Sequence, residues 1–453
     1  MGKITLAQAA AWCGGRVEKQ YEDVQFLGAN MDSRNIQPGQ LFIALEGARD
    51  GHDFIPMAME KGAAAVLCKH APQGVPAIIV EDPRIALGMI AAGERQRIGM
   101  KVVGVTGSVG KSTTKEMIAC VLEGSYKVSK TPANHNNDIG MPMAILAMDS
   151  DTEAAVLEMG MNHFREIAYL TNIAKPDLAV IINIGTMHIE HLGSQEGILK
   201  AKLEIAEGMA EDGWLLLNGG DEYLRKAPGM VAQPIRYFGS DNPEVWIRAE
   251  DVRQTSECLS FQVIWQGQVF PVELPLEGAH YISDALAAIS VGLTMGVGIT
   301  DIQARLASFR NLAGRQELLQ VKNYTIIKDC YNAGPESMAA ALRVLGSKPG
   351  RHIVVLGDML ELGVRTQAEH YRVGRIAAEN AEIVLAYGPN SGRVVSGAIT
   401  GGMPDNRAMA FEDRDQLAAT LQRLAKPGDV LLFKGSHGMH MELVLEKFLG
   451  GLR

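Results

Sequence analysis

A glycine-rich segment followed by lysine, serine and threonine occupies residues 104–113, with the sequence GVTGSVGKST. It follows the apolar run Lys101–Val103 and precedes a helical pattern that continues to Leu122. A loop of this kind, between a strand and a helix, directs backbone N–H groups at a phosphate. Lys111 would then reach the β- and γ-phosphates, and the Ser112 hydroxyl would bind Mg²⁺. The segment therefore predicts a protein that binds ATP and acts on its γ-phosphate.

The loop departs from the strict Walker A pattern, because its glycines fall at positions 104, 107 and 110 and Val105 stands where that pattern needs glycine. One interpretation is a glycine-rich turn that only caps a core helix. Gly-Lys-Ser-Thr directly after a strand is a specific context, and it favours phosphate binding. The residues expected to contact the nucleotide are Thr106, Gly107, Ser108, Gly110, Lys111, Ser112 and Thr113.

Two side chains suited to metal binding stand at the ends of apolar runs. Glu158 lies near the end of the run 154–159, and His188 follows the run 178–184. Because strand ends in a parallel sheet converge on one edge, we expect both side chains to approach the phosphates. Mg²⁺ prefers oxygen ligands, and a second, less hydrated ion beside a phosphate could accept a histidine. From the residues alone, Glu158 could instead be a solvated or capping carboxylate, and His188 a polar residue at a helix start.

Composition limits the class of protein. A chain of 453 residues has room for roughly three domains. Hydrophobic residues make up 47% and charged residues 21%, as in globular chains that bury a core. The net charge of −9 and the lack of a Lys/Arg run argue against nucleic-acid binding.

The five cysteines, at positions 13, 68, 120, 258 and 330, are scattered and lack zinc-ligand spacing. This pattern is typical of a reduced, cytosolic protein. The apolar stretch at the N-terminus is too short for a signal peptide, and no run is long enough to span a membrane. We therefore expect a cytoplasmic protein without a membrane segment.

Apolar segments alternate with helical patterns and predict an α/β fold of three domains. Residues 1–85 form a small N-terminal α/β domain in this interpretation, with strands predicted at 41–45, 64–67 and 77–80. Residues 86–313 form a central, doubly wound parallel-sheet domain with the ATP loop. Strands near 245–274 form an antiparallel appendage to it, with a turn at Gln266-Gly267. Residues 314–453 form a second doubly wound α/β domain. This arrangement predicts chemistry in the cleft between the last two domains.

Three polar or glycine-rich segments follow predicted strands of the C-terminal domain, namely 328–337, 356–363 and 433–438. They face one cleft if the strands are parallel, whereas each by itself could be an ordinary turn. Lys200 and Lys202 alone have the pattern of lysines on a helix surface. Asp32-Ser33-Arg34 alone favours a surface turn, although Arg34 could hold a phosphate.

Together these segments resemble the Mur ligase family over essentially the whole chain. The similar motifs are DSR at 32–34, QPG at 37–39, GHDF at 51–54, NHNNDIG at 134–140, YNAGPESM at 331–338, GDMLELG at 357–363 and KGS at 434–436. The resemblance implies an ATP-dependent amide ligase of peptidoglycan precursor synthesis, and hence a role in cell shape and division. The motifs at 331–338 and 357–363 imply the branch that joins D-alanyl-D-alanine to UDP-N-acetylmuramoyl-tripeptide.

The implied reaction has two steps. The substrate carboxylate attacks the γ-phosphate of ATP to give an acyl phosphate; the dipeptide amine then attacks the carbonyl and phosphate leaves. Two anions must meet in the first step, so Lys111 and Mg²⁺ would offset their repulsion. The resemblance further implies a monomer that acts on small molecules, with neither a nucleic acid nor a membrane as partner.

Site residues are carried over by position, with ATP and two Mg²⁺ ions as cofactors. The implied catalytic residues are Lys111, His188 and Lys202. The implied metal ligands are Ser112, Glu158, His188 and Lys202, the last as a carbamylated lysine. Nucleotide contacts are implied for Asp284, Arg315 and Asp329. The implied substrate residues are Ser33 and Arg34 for the uridine nucleotide, Asn134, Asn136 and Asn137 for the muramyl-peptide, and Tyr331, Asn332 and Lys434 in the C-terminal domain.

Several positions depart from the family pattern. Tyr281 and Asp284 stand where asparagines are usual, Gly334 where asparagine is common, and His437 where arginine is frequent. An ionised Asp284 cannot donate to adenine as an amide can. Two alternatives therefore stay open: a ligase of the branch that adds a diamino acid, and a nucleotide-binding homologue without catalysis. A folylpolyglutamate synthase is disfavoured by the N-terminal DSR motif.

Overall fold

The computed structural model describes residues 3–240, 244–255 and 258–451, so the outermost residues of the first and last expected domains lie outside it. The strands are β1 Ile4–Thr5, β2 Gln25–Phe26, β3 Ala29–Asn30, β4 Leu41–Ile43, β5 Ala65–Cys68, β6 Ala77–Ile79, β7 Lys101–Thr106, β8 Val128–Lys130, β9 Ala154–Glu158, β10 Leu178–Ile181, β11 Trp214–Asn218, β12 Ile235–Gly239, β13 Ile247–Gln254, β14 Leu259–Trp265, β15 Gln268–Leu274, β16 Glu317–Val321, β17 Tyr324–Asp329, β18 His352–Gly357, β19 Ile383–Tyr387, β20 Ala408–Phe411 and β21 Val430–Lys434. The α-helices are α1 Leu6–Cys13, α2 Ile55–Glu60, α3 Pro83–Ile98, α4 Lys111–Leu122, α5 Gly140–Leu146, α6 Glu166–Ala174, α7 Ile189–Leu192, α8 Gln195–Leu203, α9 Tyr281–Thr294, α10 Ile299–Ala307, α11 Pro335–Gly346, α12 Thr366–Asn380, α13 Ser391–Thr400, α14 Arg414–Leu424 and α15 Met441–Gly451.

The first part of the chain forms a four-stranded parallel sheet in the order β3-β4-β5-β6, beside the antiparallel pair β1-β2. Alternate residues of its strands face two different cores: Phe42 and Val66 pack on one side, and Leu41 and Leu67 on the other. The second core is shared with α3 and with the next sheet. The predicted strands at 41–45, 64–67 and 77–80 are confirmed, with small differences at their ends.

The central sheet has nine strands in the order β15-β14-β13-β12-β11-β10-β7-β9-β8. All strand pairs from β13 to β8 in this order are parallel, while β13-β14-β15 pair antiparallel. Gln266 and Gly267, at φ 48° and 79°, form the predicted tight turn between β14 and β15. The antiparallel strands therefore extend the parallel sheet directly. Both faces of the sheet are buried, as the continuous apolar runs predicted.

The strand order places three loops side by side. Strands β10, β7 and β9 are neighbours and parallel, so the segments after Ile181, Thr106 and Glu158 lie at one edge of the sheet. Strand β10 is shorter than the run 178–184 predicted, since Asn183 and Ile184 form hydrogen bonds with the loop after β7 and with Asp221 instead.

The last part of the chain forms a six-stranded sheet in the order β16-β17-β21-β18-β19-β20, with only β16 and β17 antiparallel. Strands β17, β21 and β18 are neighbours, so the three polar segments that follow them share one edge, as predicted. The divisions at residues 85 and 313 stay predictions. Among the described helices, none has the length and apolarity to cross a membrane.

Candidate active site

A cleft of about 630 Å³ lies between the edges of the central and C-terminal sheets. It brings together most of the residues predicted from the sequence. Those that line it are Ser108, Gly110, Lys111, Ser112, Thr113, Asn134, Asn136, Asn137, Glu158, His188, Asp284, Arg315, Asp329, Tyr331, Asn332 and Lys434. The cleft has the size and the mixed polar lining of a small-molecule site.

The glycine-rich loop connects β7 to α4. Gly110 has φ +87°, and a Cβ there would lie 2.9 Å from Asp284 Oδ1, so a larger residue would be strained as well as crowded. No side chain caps the N-terminus of α4. The backbone N–H groups at Lys111 and the following residues can therefore serve an anion.

Lys111 is folded against its own loop. Its Nζ atom donates to the carbonyls of Gly107 at 2.9 Å and Ser108 at 3.3 Å. Burial lowers the pKa of the Lys111 ammonium, and the nearby Arg315 guanidinium acts in the same direction. Glu158 opposes both effects. A cation held in this position is suited to contact a polyphosphate.

Glu158 connects the loop to two other segments. Its Oε2 accepts a hydrogen bond from the Ser112 hydroxyl at 2.7 Å, and its Oε1 accepts one from Asn136 Nδ2 at 2.7 Å. The Ser112 hydroxyl also accepts from Arg315 Nη2 at 2.8 Å. Carboxylate and hydroxyl oxygens in one place match the ligands that Mg²⁺ prefers.

His188 begins the short helix α7 in a left-handed conformation, with φ 62°. Its Nδ1 atom lies 2.8 Å from Glu361 Oε2. This contact lowers the pKa of the Glu361 carboxyl. Glu361 belongs to the C-terminal domain, so the histidine is held between the two domains.

Lys202 lies on α8 with only 2% of its surface exposed. Within the described part of the chain, no hydrogen bond or ion pair reaches its Nζ atom. Burial lowers the pKa of Lys202 far below its usual value, and the charge of Lys111 lowers it further. The expectation of a surface lysine, from the residues alone, is therefore wrong, and the side chain is a buried amine.

The C-terminal domain supplies a buried ion pair and a stacked ring. Lys434 Nζ donates to Asp329 Oδ2 at 2.7 Å and to the carbonyl of Asn332 at 2.9 Å. The Arg315 guanidinium lies over the Tyr331 ring, 4.0 Å from its centre. Burial raises the pKa of the Tyr331 hydroxyl. Arg315 therefore joins this domain to Ser112 of the loop.

Asp284 is directed at the loop from α9. Its Oδ1 accepts a hydrogen bond from Thr114 Oγ1 at 2.7 Å. Burial raises the pKa of Asp284 to about 7, although the Thr114 hydroxyl and Arg315 oppose the shift. The expectation of an ionised carboxylate thus holds only above neutral pH. When protonated, Asp284 can donate a hydrogen bond, as the amide usual at this position can.

The three asparagines of 134–137 have different surroundings. Asn136 contacts Glu158, whereas Asn137 Oδ1 accepts from the backbone of Gly140 at 2.7 Å at the start of α5. Asn134 lines the cleft, and its carbonyl accepts from the backbone N–H of Asn136 at 2.7 Å. All three line the cleft, and the side-chain oxygen of Asn137 is already hydrogen-bonded within the fold.

Five predicted residues do not line the cleft: Thr106, Gly107, Lys202, Ser33 and Arg34. The Thr106 hydroxyl donates to the Met159 carbonyl at 2.8 Å, beneath the loop. Ser33 is buried against Met57, and the guanidinium of the exposed Arg34 donates two hydrogen bonds to the Asp32 carboxylate, both at 2.9 Å. The structure therefore places the DSR motif away from the phosphate loop.

Further cleft residues were not singled out from the sequence, among them Asn183, Glu336 and Glu361. Glu336 and Glu361 lie in the motifs at 331–338 and 357–363, and Asn183 follows β10. The partner of each is distant in the chain. Asn183 contacts the loop, Glu336 contacts Thr186 and Glu361 contacts His188. Only a signal that links positions far apart in the sequence could have indicated these three residues.

The chain matches three family models: "Mur ligase family, catalytic domain" at residues 24–102, "Mur ligase middle domain" at 105–292 and "Mur ligase, glutamate ligase domain" at 314–437. UDP-N-acetylmuramoyl-tripeptide–D-alanyl-D-alanine ligase of Bacillus subtilis (strain 168) is 38% identical, over 99% of this chain and 99% of that protein.

Solved structures agree with the sequence comparison. The crystal structure of MurF from Acinetobacter baumannii superposes with a TM-score of 0.90 at 30% identity, covering 99% of both chains. MurF ligase from Thermotoga maritima in complex with ADP superposes with a TM-score of 0.82 at 30% identity, covering 94% of this chain and 97% of the other. Both superpositions cover nearly the whole of this chain.

Proposed function

This chain belongs to the Mur ligase family, and we propose that it joins D-alanyl-D-alanine to UDP-N-acetylmuramoyl-tripeptide with ATP in peptidoglycan precursor synthesis. The observation that carries the proposal is the contact of Arg315 with the Ser112 hydroxyl at 2.8 Å, together with the Ser112–Glu158 hydrogen bond. These contacts connect the phosphate loop, a carboxylate at a strand end and the C-terminal domain at one point.

The family uses ATP, as the ADP complex of the relative from Thermotoga maritima indicates. In our proposal the polyphosphate is bound by Lys111 and by the N-terminal N–H groups of α4, from Gly110 to Thr113. Arg315 and Asp329 contact the nucleotide, with Asp284 close to the loop. A buried cation beside helix N–H groups neutralises charge where the γ-phosphate is transferred.

Two Mg²⁺ ions are part of the proposal, with Ser112, Glu158 and His188 as protein ligands. The hydroxyl and carboxylate oxygens fit the first ion, and the imidazole fits a less hydrated second one. Bound Mg²⁺ would withdraw charge from the phosphate oxygens. His188 and Glu158 are oriented for this by Glu361 and Asn136 respectively.

Lys202 is proposed to carry a carbamate. Burial lowers the pKa of Lys202 and so favours the neutral amine, whose nitrogen attacks CO₂ with loss of one proton. The product is an oxygen anion in place of a cation. This change would account for a buried lysine without a partner near Lys111, and it would supply an oxygen ligand close to the proposed metal site.

Substrates occupy the remaining surfaces in this proposal. The uridine nucleotide contacts Ser33 and Arg34, the muramyl-peptide contacts Asn134, Asn136 and Asn137, and Tyr331, Asn332 and Lys434 contact the substrates from the C-terminal domain. The tripeptide carboxylate attacks the γ-phosphate and ADP leaves. The dipeptide amine then attacks the acyl phosphate, and inorganic phosphate leaves. We further propose a cytoplasmic monomer, since ATP and nucleotide-linked precursors are its substrates.

The experiment is to measure ADP release with UDP-N-acetylmuramoyl-tripeptide and D-alanyl-D-alanine. We expect release that depends on the dipeptide, with a product heavier by that dipeptide less one water. If ADP is released only with UDP-N-acetylmuramoyl-dipeptide and either diaminopimelate or lysine, the chain belongs to the branch that adds a diamino acid. ATP binding without release under all conditions would indicate a homologue that has lost catalysis.

A further inference from the structure

The segment after β10, residues 182–188, contacts the phosphate loop on one side. Asn183 Oδ1 accepts from the backbone N–H groups of Ser108 at 3.0 Å and Val109 at 2.9 Å, while its Nδ2 donates to the Val109 carbonyl at 2.9 Å. The backbone N–H of Gly185 donates to Ser108 Oγ at 2.8 Å. The first half of the loop is thus bound to this segment, and the second half, from Gly110 on, faces the cleft.

The same segment contacts the C-terminal domain on its other side. Glu336 Oε1, at the start of α11, accepts from the backbone N–H of Thr186 at 3.1 Å and from the Thr186 hydroxyl at 3.0 Å. Gly185 is packed between the two partners, since a Cβ there would lie 3.1 Å from both Glu336 Cδ and Ser108 Cβ. A displacement of Glu336 therefore reaches Ser108 through Thr186 and Gly185.

We propose that Glu336 is a positioning residue for the phosphate loop, acting through Thr186 and Gly185. When the C-terminal domain lies against the central domain, Glu336 fixes the segment, and the segment fixes Ser108 and Val109. The loop N–H groups that face the cleft are then already arranged for a polyphosphate. A binding site arranged in advance loses less conformational freedom when its ligand binds, so its affinity is higher.

This role needs the acceptor oxygen of Glu336 and not its charge. Glu336→Gln keeps an acceptor for Thr186, whereas Glu336→Ala removes it. If Glu336 instead bound the ammonium group of the incoming dipeptide or a metal ion, both variants would fail alike. The glutamine variant therefore separates the proposed role from a role of the carboxylate charge.

A second contact between the same domains gives a matched control. The ammonium of Lys348, after α11, pairs with the carboxylate of Glu277, before α9, and both side chains are largely buried outside the cleft lining. The double variant Glu277→Gln/Lys348→Met removes this contact and leaves no buried unpaired charge. It weakens the domain contact without touching residues 182–188.

The first test is hydrogen exchange of the backbone in the nucleotide-free protein. We expect Glu336→Ala to increase exchange in residues 104–113 and 182–188, and Glu336→Gln to resemble the parent. Thr186→Val keeps one of the two hydrogen bonds and should show a smaller increase. The proposal would be overturned if exchange in Glu336→Ala were unchanged. It would also be overturned if Glu336→Gln, or the Glu277/Lys348 double variant, showed the same increase in exchange as Glu336→Ala.

The second test is calorimetric binding of a non-hydrolysable ATP analogue. Loss of two hydrogen bonds that arrange the loop should weaken binding in Glu336→Ala by about tenfold, with rescue in Glu336→Gln. In the ligase assay the KM for ATP should rise while the KM for the dipeptide stays the same. The inference rests on the proposed function only for the identity of the ligand, because exchange is measured without substrate. Absent ligase activity with the expected exchange pattern would count against the proposed function alone.

Discussion

The hydroxyl of Ser112 donates to Glu158 Oε2 at 2.7 Å and so connects the start of α4 to the end of β9. The two residues are 46 positions apart, yet they meet because β7 and β9 are adjacent and parallel. Glu158 Oε1 is held by Asn136, so the carboxylate has a fixed orientation. An oriented carboxylate beside a hydroxyl at a phosphate loop is the arrangement that a magnesium nucleotide requires.

Glu158→Gln should reduce Mg²⁺ affinity and turnover, each by on the order of 100-fold, because an amide keeps the shape but not the charge of the ligand. The measurement is the Mg²⁺ dependence of ADP release, together with Mn²⁺ binding followed by electron paramagnetic resonance. Glu211→Gln, in an exposed turn before β11, is the control and should resemble the parent. Parental Mn²⁺ binding in a folded Glu158→Gln variant would remove Glu158 from the metal site.

Lys111→Ala should abolish ligase turnover, with a loss of at least about 1000-fold, since the transferred phosphate loses its nearest cation. The fold should be unaffected, because burial already disfavours the charged form of this side chain and lowers its pKa. Turnover and circular dichroism are the two measurements. Lys101→Ala, at an exposed lysine at the start of β7, the strand before the loop, is the matched control. A folded Lys111→Ala variant with near-parental turnover would contradict the phosphate role.

Lys202→Ala should be inactive and partly rescued by short-chain carboxylates, which can supply the oxygen ligand that a carbamate would provide. Parent protein exposed to ¹³C-labelled CO₂ should show a carbamate carbon by nuclear magnetic resonance, and Lys202→Ala should not. Lys200→Ala, on the exposed side of the same helix, should be active without rescue. Full activity of Lys202→Ala without added carboxylate would exclude the carbamate.

Asp284→Asn should stabilise the protein at high pH. The pKa of Asp284 is about 7 in the folded state against a usual value of 3.8, so the folded state retains a proton that the unfolded state loses first. The contribution of Asp284 to stability is present below about pH 4, falls as pH rises to about 7, and is constant above that value. Because asparagine does not titrate, the free energy of unfolding of the variant should rise relative to that of the parent across this pH range, by about a few kcal/mol at most.

Urea unfolding at several pH values between 4 and 8 measures this difference. Glu211→Gln again serves as the comparison, since an exposed carboxylate should give no such trend. A constant difference between Asp284→Asn and the parent at all pH values would mean that burial does not keep this carboxyl protonated.

The sequence predicted the parts of the site that are coded locally. A strand, a glycine-rich loop and a helix start are adjacent in the chain, so the phosphate loop could be placed to the residue. Glu158 could be placed because strand ends in a parallel sheet meet at one edge. The contacts of Asn183, Glu336 and Glu361 could not be predicted, since each depends on a partner that only the assembled sheets bring near.

Some of the short strands were not predicted from the sequence, for a similar reason. Strands β8, β12, β16 and β20 are three to five residues long, and each has residues that are only partly buried. Their sequences therefore lack the continuous apolar run of a central parallel strand. Lys202 shows the opposite error, because a charged residue on an amphipathic helix gave no sign of its burial.

The core that Leu41 and Leu67 enter continues through α3 to Leu157 and Leu217, so the first two sheets share a single apolar interior. The C-terminal sheet has two cores of its own, with no member from the rest of the described chain. Since the C-terminal sheet shares no core with the other two large sheets, we expect two cooperative units of melting. On heating, we expect the N-terminal and central sheets to unfold together, and the C-terminal sheet to unfold and refold independently of them.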